Sequence, residues 1–309
     1  MYKGLKETKL ESLIKKYKPY GDHVKISDYI PELSKADPND FGVYIIDKNG
    51  EEYFSGEYNK KFTMQSISKV LTLMLALLDN GEEYVFSKIG MEPSGDPFNS
   101  IRKLESSKTR RLYNPMINAG AIAVTSMIKG KDLEEKTKRV LDFFRKVMED
   151  DSISVNEIAY KETVESGNKN RSMGYFLKSE GIILGDAEET IDLYFKHCSI
   201  EVSAKNLAQL GAFLAREGKL SNGEKLVPYS IIKIVKTIMF TCGFYDRSGE
   251  LAVKIGLPSA CGISGGILSF VPGVLGIGVY GPNLDDWENS LLGVKFLEEF
   301  VKKFDIRVL

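Results

Sequence analysis

The sequence predicts an α/β protein of the α+β kind, with one antiparallel sheet built from both chain ends. Two β-rich runs, 42–47 and 52–56, flank Asn49-Gly50, which is a strong hairpin signal. Strand-like runs return only after residue 250, and apolar residues between them recur at helical spacing. Because a lone hairpin is marginally stable, we expect the early pair to join the late strands. The terminal helices should flank this sheet, and the middle of the chain should form an all-helical lobe.

The individual elements follow from periodicity and turn residues. Helices are predicted over 10–17, from Ser66 to a left-handed cap near Asn80-Gly81, and over 120–128, 134–148, 171–180, 187–196, 204–216, 230–239 and 290–304. Strands are predicted over 251–255, 262–271 and 274–280. We expect one unit, 1–309, with a sheet lobe of 1–65 plus 245–309 and a helical lobe of 66–244. A pocket is expected in the cleft between the lobes.

Composition narrows the class of partner. The 309 residues include 42 Lys and Arg against 43 Asp and Glu, so the formal net charge is −1. This balance favours neither nucleic acid nor an anionic membrane as partner, and a small-molecule substrate is expected instead. Three widely spaced cysteines, an N-terminus without an apolar signal region and the lack of a long apolar run predict a cytoplasmic location.

The usual metal and cofactor patterns are missing from the sequence. The chain has two histidines, His23 and His197, and no Cys-x-x-Cys pair. It has neither a Walker loop nor a Gly-x-Gly-x-x-Gly motif after a strand. We therefore expect neither a metal nor a cofactor.

Ser66 and Lys69 form the most informative pair. They stand three residues apart where a long apolar helix begins, so both side chains are expected on one helix face. A lysine at the start of a buried helix is desolvated, which favours the neutral amine that a general base requires. Ser-x-x-Lys is one way to activate a serine without histidine. Ser66 could instead serve only as a helix cap.

Six longer motifs occur in one order along the chain. They are Gln65-Ser-Ile-Ser-Lys69, Glu92-Pro-Ser-Gly-Asp-Pro-Phe-Asn99, Asn114-Pro-Met-Ile-Asn-Ala-Gly-Ala121, Cys198-Ser-Ile-Glu-Val202, Cys242-Gly-Phe-Tyr-Asp-Arg-Ser-Gly249 and Gly262-Ile-Ser-Gly-Gly-Ile267. Together they closely resemble the serine-dependent glutaminases, from about Tyr29 to the last helix. The resemblance implies the β-lactamase and penicillin-binding-protein fold, and the hydrolysis of L-glutamine to L-glutamate and ammonia. Because family members are usually homo-oligomers, it also implies a homodimer or homotetramer.

The resemblance assigns the catalytic roles residue by residue. It implies that Ser66 is the nucleophile, that Lys69 takes its proton, and that Tyr245 relays a proton to the leaving ammonia. It also implies that the backbone N–H groups of Ser66 and Ile263 form the oxyanion hole. From spacing alone, Tyr245 could be a packing residue and Ile263 part of an ordinary buried strand.

Further positions match the family's substrate-binding residues. They are Tyr29, Asn118, Glu162, Asn170 and Tyr194, which act together with Ser66, Tyr245 and Ile263. Glu162 is expected to pair with the substrate ammonium. As alternatives, Asn118 could be a helix cap, Tyr29 and Tyr194 core packing, and Glu162 a solvated charge.

Two departures from the family pattern keep alternatives open. The family's glutamate and asparagine are seven residues apart, whereas Glu162 and Asn170 are eight apart, so the pair could involve Glu165 or Asn168. In addition, Ala260-Cys261 stands where many relatives have Lys-Ser. A β-lactam or peptide hydrolase of the same fold, and a catalytically idle amino-acid-binding module, are the alternative functions.

Overall fold

The computed structural model describes residues 7–17, 25–101 and 112–306. The strands are β1 (Gly42–Asp47), β2 (Glu52–Gly56), β3 (Phe62–Thr63), β4 (Glu201–Val202), β5 (Ser259–Cys261), β6 (Gly266–Val271) and β7 (Leu275–Tyr280). The helices are α1 (Glu7–Tyr17), α2 (Pro31–Ser34), α3 (Ser68–Lys88), α4 (Asn118–Ser126), α5 (Leu133–Met148), α6 (Glu157–Ser166), α7 (Asn168–Ser179), α8 (Ala187–Cys198), α9 (Ala204–Ala215), α10 (Tyr229–Cys242), α11 (Ser248–Lys254) and α12 (Leu291–Lys303).

Five of these strands form one antiparallel sheet in the order β2-β1-β7-β6-β5. β1 pairs with β2 through the hairpin and with β7 on its other side, so that Tyr44 lies between Phe54 and Gly278. The early hairpin therefore joins the late strands, which confirms the predicted mixed fold and its antiparallel sheet.

The two faces of the sheet border two different cores, because side chains alternate along each strand. One face packs against α1 and α12, as predicted for the terminal helices. This core includes Leu10, Leu13, Val43, Ile45, Ile277, Phe296 and Phe300. The opposite face, which carries Tyr44, Leu268 and Phe270, belongs to the core of the helical lobe. Each fully buried large apolar side chain contributes about 1.5–3 kcal/mol.

Helix α9 lies directly on β7, and glycines make this approach possible. A Cβ atom added at Gly276 would lie 2.0 Å from the backbone nitrogen of Ala212. One added at Gly278 would lie 1.9 Å from the backbone oxygen of Ala204. The absence of side chains at these two positions therefore sets the distance between sheet and helix.

The predicted strand at 251–255 is wrong, because residues 251–254 belong to helix α11 and Ile255 is its C-cap. Its apolar residues at 251, 253 and 255 fit a strand period, but residues four apart also share a helix face. Leu251 and Ile255 are buried, whereas Val253 between them is 89% exposed. The fifth strand of the sheet is instead β5, and residues 262–265 form the turn from β5 to β6.

Helix α3 also differs from the prediction at its C-terminal part. Gly81 has φ 79° and ψ 166°, which is an extended positive-φ conformation rather than a left-handed cap. The chain becomes helical again after this break and continues to Lys88. Helices α2 and α6 were not predicted, whereas the strongly periodic helices end within a few residues of their predicted bounds. Within the described ranges, no helix is long and apolar enough to cross a membrane.

We expect Gly276→Ala to destabilise the protein strongly. The added methyl group would overlap the backbone of α9, so helix and sheet must separate, and the free energy of unfolding should fall by about 3 kcal/mol or more. Denaturant and thermal unfolding midpoints measure this change. Gly185→Ala is the matched control, because a Cβ atom there meets nothing within 4 Å. Equal midpoints for the two variants would contradict the close contact.

Candidate active site

Ser66 lies in a tight turn between the strand β3 and helix α3. The turn is a 3-10 segment, Gln65–Ile67, and Ser66 is half-buried among buried neighbours. Gln65 has φ 48°, a left-handed conformation that costs a non-glycine residue about 1–3 kcal/mol. Ile67, not Ser66, occupies the N-cap of α3, and no side chain caps this helix end. The Ser66 hydroxyl is therefore not used as a cap of α3.

Lys69 is buried in the first turn of α3, with 1% of its surface exposed. Its Nζ donates hydrogen bonds to Met116 O at 2.9 Å and to Asn118 Oδ1 at 2.7 Å. The rings of Phe98 and Tyr245 lie 5.8 and 5.5 Å from Nζ. Burial lowers the pKa of Lys69 to about 8. Within the described ranges no carboxylate forms an ion pair with it, so little opposes this effect.

A chain of hydrogen bonds joins Lys69 to three other predicted residues. Asn118, the first residue of α4, donates from Nδ2 to Asn170 Oδ1 at 3.1 Å. Asn170 in turn donates from its Nδ2 to the Tyr29 hydroxyl at 3.2 Å. Both asparagines are buried, whereas 40% of the Tyr29 surface is exposed. The network therefore runs from the buried amine to the protein surface.

Tyr245 begins a second 3-10 turn, Tyr245–Arg247, and has a left-handed φ of 56°. Its hydroxyl donates to Cys261 O at 3.0 Å. Burial raises the pKa of Tyr245 well above its usual value, so the phenol is neutral near pH 7. Its ring packs against Phe98 at a centroid distance of 5.0 Å.

Ile263 lies in the turn between β5 and β6, next to the Ser66 turn. A Cβ atom added at the neighbouring Gly262 would lie 2.9 Å from Met64 O and 3.3 Å from Gln65 Cβ. Among the described residues, no acceptor receives the backbone N–H of Ile263 or that of Ser66. These two donors remain available close to the serine hydroxyl, which is what an oxyanion hole requires.

Glu162 and Tyr194 border the same region from α6 and α8. Glu162 is half-buried, and its Oε2 accepts the backbone N–H of Glu32 at the start of α2, at 2.7 Å. Glu165 is exposed. Tyr194 is buried, and this burial raises the pKa of its phenol well above its usual value.

The comparisons with known proteins agree on one family. A protein-family model described as Glutaminase matches residues 25–309. The chain belongs to the glutaminase family. A glutaminase of Fusobacterium nucleatum is 55% identical over 299 residues, which cover 97% of this chain and 98% of that protein. A glutaminase of Clostridioides difficile is 51% identical over 305 residues, which cover 98% and 99%.

Solved glutaminase structures have the same fold. A probable glutaminase of Bacillus subtilis superposes with a TM-score of 0.92 at 30% identity, covering 98% of this chain and 97% of that one. A Bacillus subtilis probable glutaminase complexed with 6-diazo-5-oxo-L-norleucine gives a TM-score of 0.91 at 29% identity, covering 99% and 97%. These matches confirm the β-lactamase-like fold that the resemblance implied.

Several residues around this glutaminase-family site were not singled out in the sequence. Phe98 packs on both Lys69 and Tyr245, and it lies within one of the six motifs, which is the signal that could have drawn attention to it. Ser68 lies within another motif and bonds to His197, which directly precedes a third. The carbonyl of Met116 was missed because a backbone acceptor leaves no signature in the side-chain pattern.

At the departure Ala260-Cys261, the Cys261 side chain and backbone each have a hydrogen-bond partner. Cys261 Sγ donates to Asn289 Oδ1 at 2.8 Å, so the thiol has a partner of its own. The backbone oxygen of Cys261 still accepts the Tyr245 hydroxyl. Ala260 is buried in β5. Within the described part of the chain, no group of three or more His, Cys, Asp or Glu side chains could hold a metal ion.

Proposed function

We propose that this chain hydrolyses L-glutamine to L-glutamate and ammonia through an acyl-enzyme on Ser66, with Lys69 as the base. The observation that carries the proposal is the buried Lys69 amine, which lacks a carboxylate partner among the described residues and lies three residues from Ser66. The family membership supports the substrate and the overall reaction. The hydrogen bonds around Lys69 support the assignment of roles.

The number of hydrogen bonds that a neutral amine can donate shows which part of the Lys69 amine is left to accept a proton. Such an amine has two N–H groups and one lone pair. The two N–H groups are directed to Met116 O and Asn118 Oδ1, so the lone pair is left to accept a proton. Lys69 Nζ bonds to Met116 O and Asn118 Oδ1 rather than to Ser66, and catalytic hydrogen bonds often tighten only when substrate binds. We propose that the Ser66 hydroxyl turns to this lone pair in the complex.

The reaction then follows from the positions of the surrounding groups. Ser66 Oγ bonds to the side-chain carbonyl carbon of glutamine while its proton passes to Lys69. The N–H groups of Ser66 and Ile263 stabilise the resulting oxyanion, and one such donor is typically worth about 3 kcal/mol. The proton on Lys69 reaches the leaving nitrogen through the Tyr245 hydroxyl, the C–N bond breaks and ammonia departs. Water then attacks the ester carbonyl carbon and gives a proton to Lys69, the bond from that carbon to Ser66 Oγ breaks, and Ser66 takes the proton from Lys69 as glutamate departs.

Recognition of the free amino acid would use the outer part of the network. Asn118, Asn170, Tyr29 and Tyr194 offer hydrogen-bond donors for the substrate carboxylate. Glu162 uses one oxygen for the Glu32 N–H, and its second oxygen is available for the substrate ammonium. The burial of Asn170 and the contact of Glu162 with α2 favour these two over the alternatives Asn168 and Glu165.

We infer a cytoplasmic enzyme that forms a homodimer or homotetramer. All three cysteines are buried free thiols, which fits a reducing compartment. The assembly rests on the family resemblance.

Replacing the nucleophile gives the first test. Ser66→Ala should lower kcat for ammonia release by roughly 10⁴-fold or more, because no acyl-enzyme can form. Calorimetry should still detect glutamine binding. Mass spectrometry of the wild-type protein treated with 6-diazo-5-oxo-L-norleucine should find an adduct on Ser66. Ser87→Ala, at an exposed serine of the same helix, is the control. Substantial turnover by the Ser66 variant would show that Ser66 is not the nucleophile.

The pH profile tests the base. A protonated Lys69 cannot accept the serine proton, so kcat/KM should rise with pH and level off above an apparent pKa of about 8. Lys69→Ala should lose most activity and this limb of the profile. Lys138→Ala, at an exposed lysine of α5, should keep both. A wild-type optimum near pH 5 would argue for a different base.

A matched pair of glutamates tests substrate binding. Glu162→Gln keeps the shape of the side chain and an acceptor for the Glu32 N–H, but it removes the charge. KM for glutamine should rise about 10- to 100-fold, the usual worth of a hydrogen bond to a charged group. Glu165→Gln should leave KM unchanged. The reverse result would move the ammonium site to Glu165.

A further inference from the structure

A second polar network lies beneath the Ser66 turn and takes no part in the proposed reaction. It consists of Ser68, His197 and Thr125, each with 1% or less of its surface exposed. Ser68 Oγ lies 2.6 Å from Gln65 O and 2.8 Å from His197 Nδ1. His197 Nε2 lies 3.1 Å from Thr125 Oγ1. We refer to these three residues as the histidine network.

The histidine network connects three helices at the point where the site residues are held. Ser68 opens α3 directly after the Ser66 turn, His197 is in the last turn of α8, and Thr125 is on α4. Helix α8 also carries Tyr194, whose ring meets the imidazole edge-to-face at 5.2 Å. His197 thus links the nucleophile turn to the helices that carry Asn118 and Tyr194.

The direction of each hydrogen bond follows from the number of protons. A carbonyl only accepts, and Ser68 has one hydroxyl proton, which belongs to its shortest contact, Gln65 O. The Ser68 oxygen must then accept a hydrogen bond from the N–H at His197 Nδ1. Burial lowers the pKa of His197 to about 3, so the ring is neutral and carries one N–H. The Thr125 hydroxyl lies 2.8 Å from Ala121 O and 3.1 Å from His197 Nε2. Because the single ring proton is used at Nδ1, Nε2 is left as an acceptor, and we assign the Thr125 proton to it. The opposite arrangement would leave two unprotonated oxygens, Ser68 Oγ and Gln65 O, 2.6 Å apart, which is the shortest contact in the network.

The same count excludes His197 as a base for Ser66. Both of its ring nitrogens are engaged, one by Ser68 and the other by Thr125. The acceptor at the end of the network is the carbonyl of Gln65, the residue whose φ of 48° sets the direction of the chain into Ser66. A strained residue persists only when its surroundings hold it in place.

We propose that His197 is a positioning residue for the reaction, holding Gln65 in its left-handed conformation through Ser68 and so directing the Ser66 hydroxyl at the substrate. This inference rests on the proposed glutaminase function for its kinetic readout. The hydrogen-bond arrangement itself can be measured without any activity.

Two substitutions separate the two bonds of the ring. Asparagine can place its amide nitrogen near the position of Nδ1, so His197→Asn keeps a donor for Ser68 and loses the Thr125 contact. Glutamine reaches the position of Nε2, so His197→Gln keeps the Thr125 contact and loses the donor for Ser68. Both variants remove the imidazole from the same buried position, so each controls for the loss of packing in the other.

The kinetic test compares kcat with KM in these variants. His197→Gln should lower kcat about 10- to 100-fold, the scale expected when a reacting group is displaced by up to 1 Å. KM for glutamine and the inhibition constant of L-glutamate should be the same in the two variants, because both lose the same ring contact with Tyr194 and differ only in whether they keep the bond to Ser68 or the one to Thr125. His197→Asn should restore most of kcat. Equal losses in the two variants, or a larger loss for Asn, would overturn the proposal.

A second measurement keeps the proposal testable if these variants fail to fold. The sequence has two histidines, so ¹⁵N-histidine labelling gives two pairs of ring nitrogen signals, and His23→Gln assigns each pair to its residue. The wild-type His197 ring should show a proton on Nδ1 and no titration between about pH 5 and 9. A proton on Nε2 instead would overturn the proposal. If the wild-type protein released no ammonia, the proposed function would be wrong. The spectrum would still show which ring nitrogen of His197 carries the proton.

Discussion

The site depends on one costly arrangement, an amine removed from water without a counter-charge among the described residues. Desolvation lowers the pKa of Lys69 to about 8, which suits the proposed base, and a nearby carboxylate would oppose this effect. The surrounding structure serves this requirement. Lys69 lies in the first turn of the apolar helix α3, and two aromatic rings lie near its amine. A backbone carbonyl and an asparagine amide accept the hydrogen bonds of this amine. Neutral acceptors satisfy the amine without fixing its charge, so the proton can be taken up and released.

The sheet and the helices each supply a part that the other cannot. The helical lobe supplies the serine, the lysine and the asparagines, whereas the turn of the sheet supplies the backbone donor at Ile263. Gly262 lets that turn approach the Ser66 turn closely. The close contact of α9 with β7 sets the distance between that helix and the sheet.

The sequence predicted correctly the elements that depend on local residue patterns. It did not predict a segment whose pattern suits both a strand and a helix, nor the hydrogen bonds between residues that are distant in the sequence. The hairpin and the strongly periodic helices follow from spacing alone. The strand predicted at 251–255 was wrong because the spacing of Leu251 and Ile255 suits a strand and a helix equally. Only the tertiary contacts of this segment decide between the two. The burial of Lys69 could be inferred from the apolar residues after it, but its acceptors, 47 and 49 residues away, could not. His197 contacts Ser68 across 129 residues, and no local pattern reports such a contact.

The three buried thiols allow local unfolding of this protein to be measured by chemical labelling. Alkylating reagents attack the thiolate, and burial raises the pKa of Cys198 to about 11 and that of Cys261 further still. Modification in the native state must therefore await a fluctuation that admits both water and reagent. Because Cys261 is in β5 and Cys198 at the end of α8, the labelling rates of the two sites would report separately on how often each side of the catalytic centre loosens.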